Sequence, residues 1–160
     1  MQLTIDEEQA DASSRVTAIR SAMMLMRSLE VWRQDRFDLP SVFIILAVIA
    51  ITSEKLMRSD LEPKYRSLSV YLPLEQLQRC NIASVAAATG LNRETVRRRV
   101  HDLIDAGTLI RTEAGEIALP PHKVQESSAL QLVRRQLEAV VRFANDSLKD
   151  GVIIAKGGET

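Results

Sequence analysis

Aromatic side chains are scarce. Three Phe, two Tyr and one Trp make up 4% of the chain, so a core must be built from Leu, Ile, Val, Ala and Met, which suits packed helices. Five Pro and six Gly are few for an all-β fold. The single cysteine, Cys80, excludes an internal disulfide and fits a reducing cytoplasm. One Cys and two distant histidines, His101 and His122, do not make the usual nitrogen and sulfur ligand sets of a metal site. No glycine-rich phosphate loop of Walker or Rossmann spacing is present. Ser, His and Asp residues are nowhere grouped. The sequence therefore predicts no catalytic residues, no metal and no cofactor. Charge of one sign is also lacking: 21 Lys and Arg balance 21 Asp and Glu, a net charge of +0. No global field attracts a polyanion, so binding to nucleic acid has to rest on a local basic patch. The longest apolar run, Val42–Ile51, is ten residues, and a bilayer needs ~20. Met1–Asp11 is acidic, without the basic and apolar regions of an export signal, so the expected location is the cytoplasm and no membrane partner is expected.

What is present is centred on Ile82–Leu119. Ile82–Thr89 is a short helical pattern with Val85 and Ala86 placed to pack. Gly90 supplies the positive φ of a tight inter-helix turn. Leu91 follows, then Asn92 at an N-cap position, with Glu94 in the first turn where the helix dipole favours an acid. The second helix runs to about Ala106. Val96, Val100, Leu103 and Ile104 recur at i, i+4, i+7, i+8 and give it one buried face. Gly107 ends it, and Thr108–Arg111 and Glu116–Leu119 read as strands joined by a turn at Glu113–Gly115.

That order of helix, glycine turn, helix and two-stranded wing resembles the winged helix-turn-helix of bacterial transcription regulators. Ala86, Gly90 and Val96 stand where that family has a small residue, a turn glycine and a core aliphatic. Glu94–Arg111 is similar to the recognition helix and first wing strand of MarR-like, GntR-like and IclR-like proteins. The implied fold class is mainly α with a small β-hairpin wing, a winged helix-turn-helix flanked by long dimerisation helices. The implied partner is double-stranded DNA, with residues 92–106 in the major groove. Arg93, Arg97, Arg98, Asn92 and His101 would face base edges, where an arginine–guanine pair is worth ~1–3 kcal/mol of discrimination. Thr95, Arg99 and Arg111 would hold phosphates, as Asn92 can at the helix start. The competing reading is a solvated arginine face paired with Glu94, Asp102 and Asp105. Two features depart from the family pattern. Arg99 stands at a usually apolar position, where its stem can pack while its head reaches out or approaches a phosphate. The wing carries Glu113 and Glu116 rather than arginines, so deep minor-groove insertion is not expected.

Residues 1–36 are predicted as an N-terminal dimerisation helix, helical from about Ala10 to Arg33, after a frayed tail or helix lead at Met1–Glu8. Val16, Ile19, Met23, Met26 and Glu30 trace a stripe beside Ala22, Leu25, Leu29 and Trp32, broad enough to face a second subunit. Residues 40–119 form the DNA-binding domain. Ser41–Arg58 reads as a helix buried on nearly all sides, with a buried strand as the alternative; Pro40 opens it. Ser59–Pro73 reads as a linker and Leu74–Arg79 as a short helix. Pro120 and Pro121 stop the hairpin and His122 lies in the loop; residues 121–150 are the C-terminal dimerisation segment, helical from about Val124 to Lys149, with a near-heptad seam of Leu130, Val133, Leu137, Val140 or Val141, Ala144 and Leu148, and with the N-terminal helix it resembles the dimer-forming pair of MarR-like regulators. Residues 151–160 are a tail. A small-molecule effector would lie between the long helices and the DNA-binding domain, against Met23, Met26, Trp32 and Phe43, since methionine-rich faces adapt to ligands. A protein-interaction module without sequence-specific DNA binding is the alternative function, favoured by neutral charge and an acidic wing. An enzyme would have to assemble its site only in the fold.

Overall fold

The structure is a computed structural model and describes residues 2–33, 37–58 and 61–157. The described residues are mainly helical, with seven α-helices and two small antiparallel sheets. They divide into two compact units. The first takes Met1–Gln34 and Leu132–Thr160, the second Asp35–Gln131.

In the first unit, strand β1 (Gln2–Ile5) leads through α1 (Glu7–Ala12) into α2 (Ser14–Arg33). Asp6 caps α1 by accepting the Gln9 N–H at 2.9 Å. The helical pattern thus starts earlier than the sequence predicts and is interrupted at Ser13. The predicted tails are corrected: Gln2–Ile5 and Ile153–Lys156 (β4) pair as antiparallel strands, from Gln2 opposite Lys156 to Ile5 opposite Ile153. The chain turns into β4 through Gly151, whose φ of 73° suits glycine. The Asp6 N–H donates to Val152 O at 3.0 Å, and the Gln9 side-chain amide to Asp150 O at 2.9 Å. Gly158–Thr160, the rest of the predicted tail, lies outside the described residues, as do Gln34–Arg36 at the end of the predicted N-terminal helix.

The second unit is built on α3 (Leu39–Arg58), which settles the choice between helix and strand at Val42–Ile51. Pro40 sits in its first turn, and Asp38 accepts the Ser41 N–H at 3.1 Å. Val42, Ile44, Ile45, Ala47, Val48 and Thr52 are buried, whereas Phe43 and Ala50 are exposed. The whole helix has the length and hydropathy of a membrane span, with a mean hydropathy of 1.8, yet its buried face packs on other elements of this unit. After it come two 3₁₀ turns, Pro63–Arg66 and Leu74–Gln76, where a linker and a short helix are predicted. Ser59 and Asp60 of that linker lie outside the described residues.

α4 (Ile82–Thr89) begins with a reciprocal cap: Asn81 accepts the Ser84 N–H, and the Ser84 hydroxyl accepts the Asn81 N–H, both at 3.0 Å. Gly90, with φ 69°, closes it. α5 (Arg93–Asp105) buries Val96, Val100 and Leu103 against α3 and α4. Burial of each such side chain is worth roughly 1.5–3 kcal/mol. β2 (Ile110–Arg111) and β3 (Ile117–Ala118) pair antiparallel, shorter than predicted. The Ile117 N–H also donates to Cys80 O at 2.8 Å, fastening the hairpin to the segment before α4. α6 (Pro121–Val124) is one turn where a loop holding His122 is predicted, and α7 (Ser127–Lys149) is the long helix expected from about Val124 to Lys149.

Few apolar residues of the first unit are buried: Trp32, Ala139 and Val152. The predicted stripes are exposed instead, with Ile19, Met23 and Met26 of α2 at 45–62% and Val133, Leu137 and Val140 of α7 at 48–59%. Arg20 links the two helices by donating to Asp146 O at 2.9 Å and pairing with the Asp150 carboxylate.

Candidate nucleic-acid interface

The α4–turn–α5 arrangement presents one face of α5 to solvent. With Val96, Val100 and Leu103 turned inward, the 3.6-residue period leaves Arg93, Glu94, Arg97, Arg98, His101, Asp102 and Asp105 outside. Asn92 caps the helix by accepting the Glu94 N–H at 2.8 Å, which leaves its amide N–H₂ free for an incoming acceptor. Thr95 is half-buried beside it.

The predicted arginines differ in how they are held. Arg97 is gripped by Glu94 through two bonds, Nε to Oε2 at 2.9 Å and Nη2 to Oε1 at 2.6 Å. This pairing holds the Glu94 carboxyl below its ordinary range and raises Arg97. Arg93 and Arg98 make no hydrogen bond or ion pair among the described residues. His101 Nδ1 lies 3.0 Å from the Asp105 carboxylate. Of the paired-face alternative, the Arg97–Glu94 pair is present, whereas Asp105 meets His101 and no arginine pair to Asp102 or Asp105 occurs among the described residues. Arg93 and Arg98 remain as open donors.

Arg99 turns away from this face. Its guanidinium meets Asp38, at the start of α3, at 2.5 Å, and its Nε is buried without a partner. Hydrogen bonds from Ser41 hold the Asp38 carboxyl below the ordinary value, and Arg99 adds to the effect. The predicted phosphate role of Arg99 is therefore corrected to a clasp between α3 and α5, with its stem packed as a long cationic side chain allows. Sequence reasoning missed Asp38; its one signal was its place as an N-cap acid ahead of Pro40. Arg111 is exposed but donates to Gly115 O at 2.9 Å, bracing the hairpin turn. Cys80 is buried, and burial pushes its thiol up.

Of the four predicted effector-site residues, Met23, Met26 and Trp32 belong to the first unit. Phe43 belongs to the second unit, Trp32 is buried with an unpartnered Nε1, and Met26 is exposed. Met23 instead lines a groove of about 400 Å³ with Arg20, Met24, Arg27, Arg142, Phe143 and Asp146. No group of three or more His, Cys, Asp or Glu able to hold a metal occurs among the described residues. Comparison with protein-family models, curated proteins and solved structures gives no match.

Proposed function

We propose that this chain is a sequence-specific, winged-helix DNA-binding regulator that works as a cytoplasmic homodimer, with α5 lying in the major groove. The observation that carries this reading is the solvent face of α5. Two arginines, Arg93 and Arg98, are open there, and a third, Arg97, is held only by an exposed carboxylate. An exposed guanidinium cluster on the second helix of a helix–turn–helix unit has the geometry to donate to guanine N7 and O6. The open Asn92 amide at the helix start suits a phosphate oxygen.

Dimerisation is supported by the uncovered apolar stripes of α2 and α7. Monomers rarely expose contiguous apolar patches beyond a few hundred Å², and a standard interface buries ≈ 800 Å² per partner. Two copies of α5 set ~34 Å apart would reach successive major grooves.

The test is a gel-shift titration of the full-length protein on its own promoter region at two salt concentrations, with Arg97→Ala/Arg98→Ala as control. Saturable binding that weakens with salt and is lost in the double variant is the expected result. A folded dimer that binds no DNA at low salt would favour a protein-interaction module. The pairing of Arg97 and His101 with acidic neighbours is what supports that second reading.

A further inference from the structure

The groove between α2 and α7 carries more charge than its packing uses. Arg20 is occupied by Asp146 O and the Asp150 carboxylate. Arg27 and Arg142 also line the groove, and neither has a partner among the described residues. Asp146 contributes one carboxylate to the lining. With Arg20 neutralised by Asp150, two guanidiniums stand against one carboxylate, a local balance of one positive charge. Met23, Met24 and Phe143 supply the apolar lining. The sequence builds this surface by helical spacing: Arg20, Met23, Met24 and Arg27 fall at i, i+3, i+4, i+7, and Arg142, Phe143 and Asp146 share the facing side of α7.

We infer that this groove binds a small organic monoanion, a carboxylate carrying an apolar body, with Arg27 and Arg142 on the carboxylate and Met24 and Phe143 along the body. A volume of about 400 Å³ lies within the range of small-molecule sites. Guanidinium is the cationic group that matches a carboxylate with paired donors and gives up its water most readily. The inference concerns the first unit alone and does not rest on the DNA-binding reading.

The experiment is isothermal titration of the full-length protein with decanoate below its micellar range, with decanol and acetate as separate arms. Decanoate is expected to bind at one saturable site per chain, with decanol and acetate each at least tenfold weaker. Arg27→Gln and Arg142→Gln are each expected to weaken decanoate tenfold or more, whereas Asp146→Asn tightens it several-fold. Opposite signs from neighbouring positions separate recognition from general damage to the fold. Equal binding of decanol would reduce the groove to apolar capture, and equal binding of acetate to surface charge; either overturns the inference. So does the absence of saturable decanoate binding. If either glutamine variant fails to fold by circular dichroism, the decanol arm and Asp146→Asn decide.

Discussion

Glu94 holds Arg97 in a two-point ion pair across one turn of α5, with both side chains in solvent. Arg97 therefore differs from Arg98, its neighbour in sequence, which has no such tether. An exposed pair of this kind is screened by solvent, so it restrains Arg97 without removing it from use. Under the proposed function, Glu94→Gln frees Arg97 and removes a negative charge from the DNA-facing side. Fluorescence anisotropy on the promoter fragment should show affinity rising up to about fivefold, with a steeper salt dependence. Unchanged or weaker binding would mean that Arg97 does not meet DNA. Arg98→Ala should cost more than Arg97→Ala, because no internal pair is recovered when Arg98 leaves DNA.

The Arg99–Asp38 clasp predicts a stability pattern independent of any ligand. Arg99→Met keeps an apolar stem in the same space and removes the charge and the buried Nε. Its cost in urea unfolding should be below ~1 kcal/mol, since the pair is partly exposed. Arg99→Ala should cost more, through lost packing. The pH dependence follows from Asp38. Its carboxyl is held below the ordinary value in the folded chain, so it adds stability above about pH 4. That contribution is lost as pH falls through the lowered value. Asp38→Asn should flatten the acid limb of the stability curve. An unchanged limb would show that the Asp38 carboxylate, with its Ser41 hydrogen bonds and the Arg99 pair together, contributes nothing.

Gly90 tests the turn between α4 and α5. Its φ is 69°, and a Cβ built there meets nothing within 4 Å. Gly90→Ala therefore carries only the backbone cost of the left-handed region, about 1–2 kcal/mol, with no clash. Asn81→Ala removes the N-cap of α4 at about 1 kcal/mol. The two sites are distinct, so the double variant should be close to additive in urea unfolding. A neutral Gly90→Ala would mean that the turn adopts another conformation in solution.

The helix–turn–helix–hairpin stretch was legible because its signals are local. Asn81, Gly90, Asn92 and Gly107 mark the ends of the elements, and Val96, Val100 and Leu103 keep a 3.6-residue period between them. α3 was legible as a helix from its length and its flanks. The β1–β4 sheet was not, because four-residue strands more than 140 residues apart carry no local pairing signal, and each alone reads as a tail. Arg99 was partly legible: its apolar position showed that the stem packs, but Asp38 is distant in sequence and only the packing of α5 on α3 brings it near. Met23, Met26, Trp32 and Phe43 were grouped by residue type, whereas Arg27, Arg142 and Phe143 are joined to Met23 by the fold.

The terminal sheet gives a prediction of its own. Removing residues 153–160 deletes β4 and leaves β1 without its ladder partner. An isolated strand gains nothing to offset its ordering. Amide exchange at Thr4, whose N–H faces Ile154 by the alternation of an antiparallel ladder, should then rise to the rate of an unfolded segment, while Val96 and Val100 in the second unit keep their protection. Loss of protection throughout α5 would show instead that the two units unfold as one.

The apolar stripes of α2 and α7 make the oligomeric state the most consequential prediction. Ile19 is 55% exposed and Leu137 59%, whereas among the described residues the unit that holds them buries only Trp32, Ala139 and Val152 of its apolar side chains. So small a core offers little to offset the entropy of ordering two long helices. A second copy that covers both stripes supplies the missing burial, at roughly 25 cal/mol per Å² of apolar surface removed from water. Ile19→Asp and Leu137→Asp put an unpaired charge into that surface, yet each side chain is well exposed in the single chain, so either variant is tolerated there. Sedimentation velocity should therefore show a dimer for the native chain and a monomer for each variant. Unfolding of the native chain should depend on protein concentration and that of the variants should not. A native chain that sediments as a monomer would remove the homodimer and, with it, the two-groove reading of DNA. Loss of helical signal together with the dimer would show that folding and association are one step in the first unit.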